Sequence, residues 1–306
     1  MSFKKFLFIL STEAAGGRNL PTKEHILTNV DKNIEVEVVN TLYRGHTTNL
    51  AREFAQKNPG SVVVACGGDG TLREVAEGVF GTDSYFSAIP CGTGNDFYKT
   101  VAYGVSAEEM IKNIHKLTPS KIDLIKVNDK ICLNVWNFGF DADVIVKAKE
   151  LQAKHPRMQD LSYTFGAIKS VFGKLSTKIS YEIETIDNKL HTGSGNFLLG
   201  NVANGKYYGG GFNPAPRADV KDGILNVSLI DHTNSFQLLA LLGKYKKGKH
   251  EHFKIVHTFD AVKGKLKSLE GEINGCYDGD IVRFSEAKFE VINNGLNFAE
   301  YEGKDG

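Results

Sequence analysis

The feature that most constrains this chain is the run Ser61-Val62-Val63-Val64-Ala65-Cys66, which ends in Gly67-Gly68-Asp69-Gly70-Thr71. The run Leu72-Arg73-Glu74-Val75-Ala76-Glu77-Gly78-Val79 follows directly. An apolar β-branched run of this length reads as a strand. Glycine leaves no Cβ in the way of a ligand and opens the left-handed backbone region. The pattern from Leu72 predicts a helix whose first-turn N–H groups and partial positive charge face the glycine turn. Together these describe a cradle for a phosphate group. The same residues also describe a tight strand-to-helix turn that binds nothing, with Asp69 as the helix cap.

A second loop of the same kind follows. Phe86-Ser87-Ala88-Ile89-Pro90 reads as a short buried strand and runs into Cys91-Gly92-Thr93-Gly94-Asn95-Asp96-Phe97, where another helix pattern starts. A dinucleotide fingerprint is incomplete here, because Phe97 stands where its third glycine belongs. Neither turn is followed by the P-loop lysine. Two glycine-rich strand ends about twenty residues apart place both turns at the carboxyl ends of parallel strands, where open sheets bind ligands.

Strand and helix signals alternate through the first part. Strand runs at Phe6–Leu10, Ile34–Val39, Val62–Ala65 and Ser87–Ile89 are separated by helical stretches such as Thr47–Gln56 and Leu72–Val79. This predicts a Rossmann-like parallel sheet flanked by helices. Past Ile122 the pattern changes. Tyr181–Ile186 alternates with period two into the turn pair Asp187-Asn188; Ile224–Ile230, Lys254–Phe259 and Lys265–Leu269 are strand-like, with Lys263-Gly264 as a turn. The expected fold is an α/β parallel-sheet domain over 1–125 and a mostly antiparallel β-sandwich over 126–306, with the segment after about 286 able to return to the first domain. With 306 residues and 41% hydrophobic content, two ordinary cores are expected.

A formal net charge of +1 argues against a nucleic-acid binder. Four cysteines without paired spacing (Cys66, Cys91, Cys132, Cys276) fit a reducing cytoplasm better than a disulfide framework or a zinc site. Phe6–Leu10 is too short for a signal peptide and reads as the first strand. No run reaches the length needed to cross a bilayer.

Several separated motifs carry a resemblance. Gly67-Gly68-Asp69-Gly70-Thr71-x-x-Glu74-Val75 and Pro90-x-Gly92-Thr93-x-Asn95-Asp96-Phe97 come first. Asn134-x-x-Asn137-x-Gly139-Phe140-Asp141-Ala142 follows, then Gly205-x-Tyr207-x-Gly209-Gly210-Gly211, Pro214-x-Pro216-x-Ala218, Asp222-Gly223-x-Leu225 and Gly271-Glu272. In this order they resemble the diacylglycerol kinase catalytic-domain family, which includes soluble bacterial lipid kinases and the sphingosine and ceramide kinases. The resemblance implies an α/β nucleotide domain, a β-rich lipid and metal domain, and an active site in the cleft between them. It further implies ATP and Mg2+ as cofactors and a long-chain lipid hydroxyl as acceptor. Thr41, Gly67, Gly68, Asp69, Gly70, Thr71 and Thr93 would hold the nucleotide. Asp222, with the main chain at Asp219 and Ile224, would hold the metal. Glu272 would be the catalytic base and Asp69 its partner in catalysis.

Physical chemistry supplies a reason and a plainer alternative for each. A bare carboxylate at Asp69 would repel phosphates, so it needs a metal, water or backbone donors; otherwise it caps a helix. Thr41 is either a nucleotide contact or a strand-end residue. Asp222-Gly223 is also a common turn, but magnesium keeps its waters and needs few protein ligands. A base at Glu272 would accept the lipid hydroxyl proton; alone, Glu272 is an exposed acid in a turn. Two departures stand out. Glu270 replaces the aspartate that usually precedes Gly271-Glu272. Ser11-Thr12-Glu13-Ala14-Ala15-Gly16-Gly17-Arg18 replaces the Asn-Pro loop after the first strand.

His250-x-His252 with His257 lacks an acid to complete a metal site and reads as a solvated surface. Leu238–Leu242 followed by Lys244-Tyr245-Lys246-Lys247 reads as a core-facing helix with a basic last turn, and also as a surface able to dock on anionic lipid. The main expectation is a cytoplasmic ATP-dependent lipid kinase in peripheral contact with the inner membrane face, with a homodimer left open. An NAD kinase, which shares Gly-Gly-Asp-Gly-Thr, and a catalytically weak nucleotide- or lipid-binding protein are the alternatives.

Overall fold

The computed structural model describes residues 3–11, 20–43, 45–101, 104–154 and 176–301. The chain divides into two compact units. One comprises Met1–Leu124, Val220–Asp222 and Ile292–Gly306; the other comprises Ile125–Asp219 and Gly223–Val291.

The first unit is built on four parallel strands, β1 (Lys5–Leu10), β2 (Glu35–Asn40), β3 (Val62–Gly67) and β4 (Tyr85–Pro90), in the order β2–β1–β3–β4. Every residue of β3 is buried, whereas β2 alternates as an edge strand should. The helices α1 (Lys23–Asn29), α2 (His46–Lys57), α3 (Asp69–Val79), α4 (Asp96–Val101) and α5 (Ala107–Lys112) lie between and after the strands. Thr22 and Ser106 cap α1 and α5 by accepting from the third amide onward. Helices α2 and α3 approach closely because position 78 is glycine; a Cβ there would lie 2.5 Å from Ala51 Cβ and 2.7 Å from Thr48 O. The end of the chain completes this unit. Phe298 pairs in parallel with Phe86, and Ser87 Oγ donates to Ala299 O at 3.0 Å.

The second unit is mostly antiparallel β-structure, as expected. It holds the end of β5 (Thr118–Val127), then β6 (Lys130–Cys132), β7 (Val135–Gly139), α6 (Phe140–Lys154), β8 (Thr177–Thr185), β9 (Leu190–Ala203), β10 (Leu225–Asp231), α7 (Ser235–Lys246), β11 (Val256–Ser268), β12 (Ile273–Tyr277), β13 (Asp280–Phe284) and the start of β14 (Glu286–Glu300). The long strand β9 pairs with β8 along its first half and with β10 and β7 along its second. Strand β11 does the reverse, pairing first with β10 and then with β8 and β14. Their inward faces enclose a core centred on Trp136, which packs against Phe138, Tyr277 and Phe284. Helix α7 lays Leu238, Leu241 and Tyr245 against Leu198, Leu199 and Ile230.

The structure corrects three local readings. Helix α3 begins at Asp69, not at Leu72, so Gly70 and Thr71 are already helical. Lys263-Gly264 is no turn but lies inside β11. The glycine is required there because a Cβ would sit 2.4 Å from Phe289 Cζ and 2.8 Å from Glu182 O. His250 is fully buried rather than solvated, with its ring 4.4 Å from that of Tyr245, and burial lowers its pKa to about 4.

Gly264→Ala is therefore expected to destabilise the chain by roughly 1–3 kcal/mol through overpacking against backbone and ring. The check is the urea unfolding midpoint; a midpoint equal to that of the wild type would refute the steric account.

Candidate active site

The two glycine loops of the first unit form one structure. A Cβ on Gly92 would lie 2.4 Å from Gly68 Cα, and one on Gly67 would lie 2.3 Å from Thr71 Oγ1. Gly67, Gly68, Gly70, Gly92 and Gly94 all lie outside the left-handed region; close approach demands glycine at positions 67 and 92, whereas a Cβ on Gly68 would make ordinary contact with Gly92 Cα at 3.5 Å and one on Gly70 would meet open space. Asn95, at φ 51°, folds back on its own loop: its Oδ1 accepts from Gly92 N–H at 2.9 Å and its Nδ2 donates to Gly92 O at 2.8 Å.

Asp69 spans the two loops. Its Oδ1 accepts from Phe97 N–H at 3.2 Å, so it meets backbone donors in the first turn of α4. Helix α3 itself has Gly68 as its N-cap and no side-chain cap. The space over Gly70 is open, with nothing within 4 Å of a Cβ built there. An uncapped helix start beside an open glycine suits the oxygens of a phosphate chain, which are acceptors only. Thr71 is buried against Gly67, and Thr93 is exposed at the tip of the second loop. Thr41 is buried just past β2, where its N–H donates to Leu10 O at 2.9 Å. Of the replaced first loop, Ser11 donates its N–H to Cys66 O at 3.1 Å, and 12–19 lie outside the described residues.

The metal candidates lie where the chain passes between units. Val220–Asp222 belongs to the first unit, flanked by Asp219 and Ile224 of the second. Asp219 and Asp222 are exposed, Ile224 is half-buried, and Gly223 takes φ 72°. Asp123, fully buried in β5, donates its N–H to Val220 O at 2.7 Å, and its Oδ1 accepts from Asn294 N–H at 2.7 Å. This carboxylate was not singled out from sequence; an acid inside the apolar run around Ile122–Ile125 was the available signal. Among the described residues no cluster of three or more His, Cys, Asp or Glu side chains is placed to hold a metal ion. What this segment offers is one exposed carboxylate, Asp222, with the main-chain oxygens of its sequence neighbours, a kind of donor set that suits a hard cation retaining its waters.

In the second unit Glu272 is exposed at the start of β12, after Gly271 at φ 89°. Its Oε2 lies 3.6 Å from Arg283 Nε on β13. Glu270 is docked elsewhere: its Oε2 accepts from Lys178 N–H at 3.2 Å. The Asn134–Ala142 motif leads to a polar cluster. Tyr208 Oη donates to Asp141 Oδ2, Tyr245 Oη lies 3.3 Å from Tyr208 Oη, and Asn201 Nδ2 donates to Tyr245 Oη at 3.0 Å. Asn274 Nδ2 donates to Asp143 Oδ1 at 2.7 Å, tying the first turn of α6 to the strand that Glu272 opens. Burial raises the Asp141 pKa to about 6, against the opposing hydrogen bond from Tyr208.

Comparison with known proteins agrees with this architecture. Residues 5–127 match the diacylglycerol kinase catalytic domain, and residues 134–299 match the YegS C-terminal NAD kinase beta sandwich-like domain. The second match spans more than half of the chain, and the chain belongs to the family in which a diacylglycerol kinase catalytic domain precedes this YegS C-terminal domain. A "Probable lipid kinase YegS-like" from Pseudomonas putida is 31% identical over a stretch covering 56% of this chain and 56% of that protein. A "Putative lipid kinase" from Staphylococcus aureus (strain Mu3) is 26% identical over 88% of this chain and 87% of its own length. A crystal structure described as a "putative diacylglycerol kinase" from Bacillus anthracis shares the fold, with a TM-score of 0.78 at 21% identity, covering 99% of this chain and 97% of the other. No helix among the described residues is long and apolar enough to cross a membrane.

The raised pKa of Asp141 carries a sign. The fold favours its protonated form, so the stability it contributes is complete below the usual carboxylate value of 3.8 and is lost as pH rises through about 6. Asp141→Asn removes the titration. Unfolding in urea at pH 4.5, 6 and 7.5 should show the wild type losing stability relative to this variant as pH rises; a difference constant with pH would refute it.

Proposed function

We propose that this chain is an ATP-dependent, magnesium-requiring lipid kinase that transfers the γ-phosphate to a hydroxyl of diacylglycerol or a related long-chain lipid. The observation that carries this reading is the contact of Gly68 with Gly92, which merges two strand-end loops into one open surface beside an uncapped helix start. Gly67–Thr71 and Thr93 bind the phosphates, and Thr41 lies toward the nucleoside end. Asp69 keeps the two loops in register through Phe97 N–H, which also offsets its charge near phosphate. Asp222, with main-chain oxygens at Asp219 and Ile224, holds Mg2+, which when bound neutralises charge on the transferring phosphate. Asp123 positions that segment through Val220 O.

Glu272 acts as general base toward the acceptor hydroxyl. Its exposed position at the head of β12 leaves the carboxylate able to receive a proton, and Arg283 orients it. The nucleotide unit is the first and the lipid-side unit the second. The chain meets its substrate at the inner membrane face. Helix α7 supports this contact: Leu239 is 61% exposed beside the basic Lys244 and Lys246 of the last turn.

The test is transfer of radiolabelled phosphate from ATP to a panel of diacylglycerols and long-chain lipid alcohols, with NAD as a parallel acceptor. Labelled lipid is expected; label in NAD alone, or none in either, would reject the lipid kinase. Glu272→Gln should retain ATP binding and lose transfer by about 10²–10⁴-fold. Turnover within a few-fold of wild type would remove Glu272 from this role. Leu239→Asp should weaken sedimentation with vesicles containing anionic lipid; equal sedimentation of variant and wild type would count against α7 as the docking face.

A further inference from the structure

We infer that Tyr43, backed by His46, is the stacking platform for the purine base of the bound nucleoside triphosphate. This rests on the phosphate-binding reading above and extends it to the other end of the ligand.

Just past β2 the chain changes character within three residues. Thr41 is buried, whereas Leu42 and Tyr43 are 80% and 59% exposed. The two form a small exposed apolar surface at the strand end, where a ligand could cover it. The Tyr43 ring is nevertheless fixed. It lies parallel to the His46 imidazole, with 4.7 Å between centroids and 12° between planes. The imidazole is held in turn, because Leu42 N–H donates to His46 Nδ1 at 3.2 Å. Accepting at Nδ1 leaves the proton of a neutral imidazole on Nε2. Gly45, at φ 84°, makes the turn that brings His46 back beneath Tyr43. The result is a tyrosine with one face covered by a locked ring and the rest of its surface open, which is a preorganised stacking site.

Its place in the sheet matches the ligand. Strands β2, β1, β3 and β4 are parallel and adjacent in that order, so Thr41–Tyr43 leaves the same sheet edge as the two glycine loops. The end of β2 is two strand spacings from the end of β3, about 10 Å. A polyphosphate held at Gly67–Thr71 with its nucleoside end toward β2 would bring the base within reach of the flat ring, and this is the orientation the inference adopts. Stacking on an aromatic ring tolerates any base because every base has a π-face, and a purine offers the larger one. ATP and GTP are both expected to use it.

Equilibrium binding of ATP, GTP and inorganic tripolyphosphate to the full chain by calorimetry tests this. Tyr43→Ala should weaken ATP and GTP by about tenfold, equivalent to about 1.4 kcal/mol, while leaving tripolyphosphate unchanged; Tyr43→Trp should restore the nucleotides. Unchanged ATP affinity in Tyr43→Ala overturns the inference, as does an equal loss for tripolyphosphate. Lost sedimentation with lipid vesicles at unchanged ATP affinity would make this a lipid contact and overturn it too. A wild type that binds tripolyphosphate but not ATP overturns the platform alone. A wild type that binds neither overturns the phosphate cradle and the platform with it.

Discussion

The approach of Gly68 to Gly92 is the contact on which the arrangement of the first unit's two glycine loops depends. Adjacent parallel strands run about 4.8 Å apart, and loops leaving them ordinarily diverge because side chains fill the gap. Here no side chain is present: a Cβ on Gly92 would stand 2.4 Å from Gly68 Cα. The loops stay in contact beyond the sheet and are pinned on both sides. Asn95 closes the second loop on itself through Gly92, and Asp69 reaches from the first loop to Phe97 N–H. The acid among the glycines is thus less a ligand for phosphate than the strut that lets two backbones act as one surface. Its negative charge meets the first turn of α4, where the peptide dipoles favour it.

Much of the fold was legible in the sequence because its signals were local. A continuous apolar β-branched run announces a strand at β3, which the fold buries at every residue, and period-two alternation announces β8 with its Asp187-Asn188 turn, where Asn188 takes φ 61°. The failures share a cause. Lys263-Gly264 reads locally as a turn, yet Gly264 is present because Phe289, on another strand, crosses over it. Gly70 disguised the true start of α3, since glycine is a poor helix former except near an end. The glycine loops were recognised, but on a broader argument than the structure needs, because close approach of a second loop is invisible to one segment read alone. His250 looked like surface because its sequence neighbours are charged, and only the tertiary packing of Tyr245 buries it. Of the candidate site, the residue types and order were legible. The tether from Asp123 to Val220 was not, since nothing in sequence joins positions that far apart.

The replaced loop after β1 bears on how much of the phosphate site remains. The Asn-Pro expected from the family resemblance is missing, yet the end of β1 is tied into the sheet. Ser11 N–H bonds to Cys66 O on β3, and Thr41 N–H bonds to Leu10 O, so the strand end is held from both neighbours by main-chain bonds that no side-chain change removes. In the proposed function the phosphate contacts fall to the β3 and β4 loops, where the donors would be backbone amides and a threonine.

The division of the chain gives this a further consequence. Val220–Asp222 is only three residues long and comes from the middle of the C-terminal half, yet it belongs to the first unit. It is held there by Asp123 N–H to Val220 O and by Lys221 paired with Glu300 at 2.6 Å. Both partners are first-unit residues, so the candidate metal carboxylate and the glycine loops share one compact body, while Glu272 belongs to the other. The groups proposed to bind the donor and the group proposed to accept the acceptor's proton are thus carried by different units. In such an arrangement affinity for nucleotide and competence for transfer need not rise or fall together. The ion pair of Glu272 with Arg283 is made within its own hairpin, between β12 and β13, and owes nothing to the proposed phosphate loops.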